Sequence, residues 1–186
     1  MPELRLAEHS LSLGLAPIIA TLVEGVTEFE GDPSATIPEL EGPDGGLYLA
    51  MTSLAISLDE RVVDDDNRTK DILIGDRKGL RHRFYGGFAI LIKQGSPLAM
   101  TQRLAHELSH RYTEPVLVGD NVGYTHGETV AEGSAFVVCG HFGLDISAHA
   151  FPYIAGYNGG NFTSEMVAGI QTASTGIIEG LRAGIT

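Results

Sequence analysis

Tryptophan is absent, cysteine occurs once, and basic residues are scarce: 12 Lys and Arg stand against 24 Asp and Glu, a formal net charge of −12 over 186 residues. A single thiol, Cys139, rules out an internal disulfide and fits a reducing compartment; on a helix it reads as a small buried hydrophobe rather than a ligand. An acidic field repels phosphate, which weighs against nucleic acid as a partner. Arg77, Lys78, Arg81, His82 and Arg83 form the one basic patch, expected to be a solvated hairpin. A membrane span is also missing. Leu11 to Val23 is apolar but short of the roughly 20 residues a bilayer requires, it contains Pro17, and Glu3, Arg5 and Glu8 precede it instead of a basic run. The expected product is an amphipathic helix from near Pro17, carrying Ile19, Leu22, Val23, Val26 and Phe29 and closed by Gly31-Asp32-Pro33. A cytoplasmic protein without a membrane partner is therefore expected.

What the chain does have is enough apolar material for one core. At 43 % hydrophobic and 19 % charged residues, residues 1–186 are expected to form a single domain, with a helix-and-sheet part over 1–95 and a helical part over 96–186. Its 24 glycines are nearly twice the usual share of about 7 %, so turns and close helix contacts should be frequent.

His106-Glu107-Leu108-Ser109-His110 is the motif that carries chemistry. On a helix, residues four apart are turned by only about 40°, so both imidazoles leave one face with Cβ atoms roughly 5–6 Å apart, a spacing that suits one metal ion. Glu107 lies about 100° round from His106, within reach of a water at that ion and badly placed to be a ligand beside both histidines; general base is its natural role. Ser96 followed by Pro97 starts the helix and Pro115 forbids its continuation, giving a helix from about Pro97 to about Tyr112. Met100, Leu104 and Leu108 line the face opposite the histidines.

A peptidase-type zinc site needs three protein ligands and an open position. A second helix is expected between Thr125 and Gly143, with Val130, Phe136, Val137, Val138 and Phe142 as core contacts. It carries Glu128 and Glu132 on one face, and either carboxylate could complete a His₂Glu set while the other orients a ligand histidine. Gly133 and Ser134 would let this helix approach the HExxH helix closely. His141 is about 180° round from Glu132 and should face away.

Upstream, residues 31–46 read as an exposed connection rich in Pro, Gly and acid. Three β-like runs follow, around Ala55–Val63, Asp71–Ile74 and Phe88–Lys93, separated by Asp64-Asp65-Asp66-Asn67 and Gly79–Arg83. The acidic run lacks the alternation of a calcium loop, since Arg68 stands at the fifth position, and is expected to be a solvated turn.

These motifs together resemble a known family. His106-Glu-Leu-Ser-His110, Ala131-Glu132-Gly-Ser-Ala-Phe-Val-Val-Cys139, Gly143-Leu-Asp-Ile-Ser147 and Phe151-Pro-Tyr-Ile-Ala-Gly-Tyr157 are similar to the zincin domain of the ImmA/IrrE and ArdC (antirestriction) type, particularly its versions in actinobacteria and their mobile elements. The similarity runs from about Pro97 to Arg182 and includes a last helix after the Phe-Pro-Tyr segment. It implies an α+β, zincin-like metallopeptidase fold in which a small sheet precedes the HExxH helix. In that family the glutamate of the Ala-Glu pair is the third zinc ligand, which maps to Glu132 and leaves Glu128 to orient a ligand. Zincins border the cleft with an edge strand, for which Phe88–Lys93 is the candidate, and an extended substrate could add to it. The expected chemistry is Zn²⁺ on His106, His110 and Glu132 with Glu107 as general base, cleaving a protein or peptide, for instance a regulatory protein such as a repressor. Tyr124, His126, His149 and Tyr153 are open candidates for stabilising the oxyanion. Two other classes stand beside the peptidase: an antirestriction or single-stranded-DNA-associated protein, whose expected basic surface is largely lacking, and a catalytically silent zinc-binding module, against which the intact Glu107 speaks.

Overall fold

A computed structural model of the chain describes residues 13–33, 35–75, 77–84, 87–113 and 121–184. It is a mixed α and β structure, with seven helices and one three-stranded sheet among the described residues. Helix α1 (Leu15–Thr27) buries Leu15, Ile19, Leu22 and Val26, spaced as an amphipathic helix requires. No helix among the described residues is long and apolar enough to cross a membrane.

Helix α2 (Leu47–Ser57) has no counterpart in the sequence reading, which began a strand at Ala55. It buries Leu47, Met51, Leu54 and Ala55, yet Leu49 and Ile56 are exposed. Apolar residues on both faces erase the helical period that sequence analysis relies on. Its start is fixed from outside the apolar run: Gly46 is left-handed at φ 88°, and Asp44 accepts the amides of Gly46 and Tyr48 at 3.0 and 2.7 Å.

Strand β1 (Glu60–Val63) follows, then a single helical turn α3 (Asp66–Thr69), strand β2 (Gly79–Phe84) and strand β3 (Gly87–Ile92). The acidic run is thus more than a solvated turn. Asp65 caps α3 by accepting the Asn67 amide at 2.9 Å, and Asp64 accepts the Tyr48 hydroxyl at 2.8 Å. Residues 71–74 form no strand, whereas 79–84, expected to be a connection, do. The sheet order is β1-β3-β2, with β3 parallel to β1 and antiparallel to β2. Phe88–Lys93 is therefore not the edge: β3 is central, as its buried run Ala89-Ile90-Leu91-Ile92 requires. The edge beside the HExxH helix is β2.

What makes a polar sequence such as Gly-Leu-Arg-His-Arg a strand is pairing from below. The Arg81 guanidinium grips the Glu60 carboxylate at 2.9–3.0 Å, lies 3.9 Å from the centre of the Phe88 ring, and shares Glu60 with Arg111, 2.8 Å away. The Glu60 side chain is fully buried and that of Arg81 is 4 % exposed. The expected solvated basic patch is accordingly split, with Arg81 turned into the protein.

Helix α4 (Pro97–Thr113) packs on the sheet through β2 and β3 and on its other side against α5 (Asn121–His141), α2 and α7 (Ser164–Gly184). Helix α6 (Ser147–Asn158) holds the Phe-Pro-Tyr segment, with Pro152 inside it. One apolar core draws on α1, α2, β3 and α4 to α7, from Leu15 to Leu181. Gly133 serves this core and not the α4 contact expected of it: a Cβ there would stand 2.6 Å from Ile170 of α7 and 3.1 Å from Leu22 of α1.

The buried Arg81–Glu60–Arg111 group supports a stability prediction. Glu60→Ala strands a buried guanidinium and should cost about 3–5 kcal/mol, read as a lower urea midpoint of unfolding; a change below about 1 kcal/mol would show that the strand does not depend on this pairing.

Candidate metal centre

Helix α4 begins as its sequence dictates. Ser96 Oγ accepts the Ala99 amide at 3.1 Å and donates to the Leu40 carbonyl at 2.6 Å, with Pro97 opening the first turn. Gln102, His106 and His110 then rise on one face at four-residue steps, opposite Glu128 and Glu132 of the neighbouring α5.

The histidines converge as their spacing predicts, with ring centres 5.2 Å apart. Glu128 Oε2 lies 3.3 Å from His106 Nε2, and Glu128 Oε1 lies 3.7 Å from His110 Nε2. One donor atom from each of His106, His110 and Glu128 falls within 4.8 Å of the others, so this trio could hold a metal ion.

Glu132 takes the other position. Its Oε2 lies 2.8 Å from His106 Nδ1 and accepts the Gln102 amide at 2.8 Å. Spacing left the two glutamates open and the family resemblance implied Glu132 on the metal with Glu128 behind a histidine; in the structure Glu128 faces both Nε2 atoms and Glu132 stands behind His106. A carboxylate has no hydrogen to give, so Glu132 holds the imidazole proton on Nδ1 and turns the Nε2 lone pair toward the trio. That is the tautomer a metal ligand needs.

The charges at the site fit a cation. Burial opposes a charged His106, but hydrogen bonds and charge from Glu128 and Glu132 outweigh it and hold the pKa well above the ordinary value. His110 is driven the other way, down to about 4, by burial and then by the His106 charge, so it stays a neutral nitrogen donor. Burial would raise Glu128, yet its contacts with His106, the charges of both histidines and the Tyr153 hydroxyl bring it down to about 2. Once an ion displaces the extra His106 proton, two nitrogen donors and an ionised carboxylate would make up a His₂Glu set. Glu132 Oε1 is buried without a hydrogen-bond partner among the described residues; His149 Nε2 lies 3.9 Å from it.

Glu107 leans away from the trio toward β2. Its Oε2 accepts the Arg81 amide at 2.7 Å, and Gly79 makes room for it, since a Cβ at that position would stand 2.7 Å from Oε1. Burial is the main reason its pKa is raised.

These groups line a cavity of about 700 Å³ between β2 and the α5–α6 pair. Of the four oxyanion candidates, Tyr124, His149 and Tyr153 line it and His126 does not. Tyr153 donates to Glu128 Oε2 at 3.0 Å and stacks on His149, rings 5.8 Å apart. His141 packs against Phe142 and Arg182, away from the cavity. Sequence analysis missed Gln102, although it stands one turn before His106 on the same face, and it missed Gly79 and Arg81 as partners of Glu107, which no local signal marks.

No family model matches the chain, nor does any curated protein or solved structure.

The two glutamates give a ranking to measure. Zinc affinity, read by competition with a chromophoric chelator, should fall to background in Glu128→Ala and only about 10–100-fold in Glu132→Ala and Tyr153→Phe, which act through His106 and Glu128 respectively. The opposite ranking would return the third ligand to Glu132.

Proposed function

We propose that the protein is a zinc-dependent metallopeptidase of zincin-like build, similar to the ImmA/IrrE and ArdC type, that hydrolyses peptide bonds within an exposed, extended protein segment. The observation that carries this reading is the placement of Glu107: its carboxylate is buried between the metal trio and the edge strand, where a water and a peptide would have to meet. The lone thiol fits action in a reducing compartment such as the cytoplasm.

His106, His110 and Glu128 would hold the zinc, with Glu132 and Gln102 fixing the first of them. A zinc ion so bound supplies Lewis acidity to the scissile carbonyl and acidifies a water nucleophile. Glu107 would take a proton from the attacking water and later hand it to the leaving amine. The Arg81 amide occupies Oε2, which leaves Oε1 to carry the proton, and the burial that raises the Glu107 pKa makes it a better match to a proton in transit. Strand β2 borders the cavity through Gly79, Leu80 and Arg81, so an extended substrate would lie along β2, and not along β3 as the sequence suggested.

Glu107→Gln keeps the shape of the side chain but cannot take up a proton. The variant should retain one zinc per chain and its melting temperature while cleavage of host proteins, followed by labelling of new N-termini, falls at least about 10²-fold. Cleavage at the wild-type rate would sink the hydrolytic assignment.

A further inference from the structure

We propose that Arg77 is a specificity residue of this cleft, and that the segment bound there carries a carboxylate side chain next to an apolar one. The inference rests on the peptidase reading for its substrate class, but not for its binding geometry.

Four side chains with permanent positive charge line the cavity: Arg77, Lys78, Arg81 and Arg103. Three have a carboxylate partner within the protein, although Lys78 and Arg103 share one. Arg81 is bound to Glu60. Lys78 lies 3.7 Å from Glu39. Arg103 also pairs with Glu39 and donates to the Lys93 carbonyl at 2.6 Å. Among the described residues Arg77 has no carboxylate partner, and it is exposed at the cavity rim. It lines the same cavity as Glu107 and Tyr124. A chain with twice as many acids as bases that leaves one cation unpaired at the mouth of its cleft has a site complementary to an anion.

The surroundings add the apolar half. Ile74, 71 % exposed, and Tyr124, 61 % exposed, both line this cavity, and the Tyr124–Tyr157–Tyr153 series continues inward with ring centres 6.1 and 4.9 Å apart. Large exposed apolar side chains gathered at one opening are the usual mark of a binding edge. The protein's overall charge attracts basic peptides at long range, but that field is screened over about 10 Å at 0.1 M salt, whereas a direct contact at Arg77 is screened less. Selectivity should therefore be set locally.

The test uses zinc-loaded Glu107→Gln protein, so that peptides are bound and not consumed, with three dodecapeptide pools carrying a neutral fluorophore and a fixed central Leu-Glu, Leu-Gln or Leu-Lys. Fluorescence anisotropy should show the Leu-Glu pool bound about fivefold more tightly than the Leu-Gln pool, the reach of one partly exposed ion pair, with Leu-Lys weakest. Adding Arg77→Glu, with an unchanged melting temperature as the folding check, should reverse the order of the Glu and Lys pools, and Arg77→Gln should level them. Equal affinity for the three pools, including no measurable binding of any, overturns the proposal. So does an order that survives Arg77→Glu, which would mean that the metal alone captures the carboxylate. The expected order together with no cleavage by the Glu107-intact protein would leave Arg77 in its role and overturn the peptidase reading instead.

Discussion

His106 Nδ1 lies 2.8 Å from a carboxylate oxygen of Glu132, and Glu132 has no exposed surface. Placing an ionised carboxylate there is costly unless its lone pairs are used, and two donors from adjacent turns of α4, the Gln102 amide and the His106 ring, meet one of its oxygens. This single contact fixes how α4 and α5 face one another at the level of the motif. Once Glu132 stands behind His106, the residue one turn earlier on α5, Glu128, necessarily arrives at the Nε2 side of both histidines. The roles of the two glutamates thus follow from the antiparallel register of two helices.

A second constraint comes from the sheet. Glu107 points off the histidine face, so on α4 alone it would be a buried acid without a partner. The β2 edge answers that need with the Arg81 amide and with the missing side chain of Gly79. An amide can be placed this way only if the strand is held, and the Arg81 side chain holds it by reaching across to Glu60 under the sheet. Main chain and side chain of one arginine therefore tie Glu107 to the edge strand. The cost of burying these charges is offset by pairing them, which leaves the arrangement specific more than stable.

How much of this could be read from the sequence depends on the range of the interaction. Helices α4 and α5 are legible because their signals are local: a cap at Ser96, a proline, an i, i+4 pair of histidines and an apolar period. α2 is illegible because Leu49 and Ile56 break the period that Leu47, Met51 and Leu54 would set. β2 is hidden for a related reason, since three of its six residues are basic or His, and only a partner 21 residues away, Glu60, makes Arg81 an interior residue. The choice between Glu128 and Glu132 could not be made from spacing, as both sit on one helix face and differ only in which turn of α4 they meet.

The same distinction between local and distant causes bears on the charge of the site. Glu107, Glu128 and Glu132 converge on a cavity whose only permanent cation without a partner, among the described residues, is Arg77 at the rim. Inside, the two carboxylates beside His106 favour its protonated form, while burial and then the His106 charge disfavour a proton on His110. One proton is a poor match for three carboxyl groups around one cavity. A divalent ion on the His106, His110 and Glu128 donors would replace that proton, make His106 a neutral ligand like His110 and leave Glu132 with the Nδ1 hydrogen it already accepts, so metal affinity and the stability of this half of the protein would draw on the same interactions. The electrostatic demand of the pocket, and not the motif alone, is what argues for a cation at its centre.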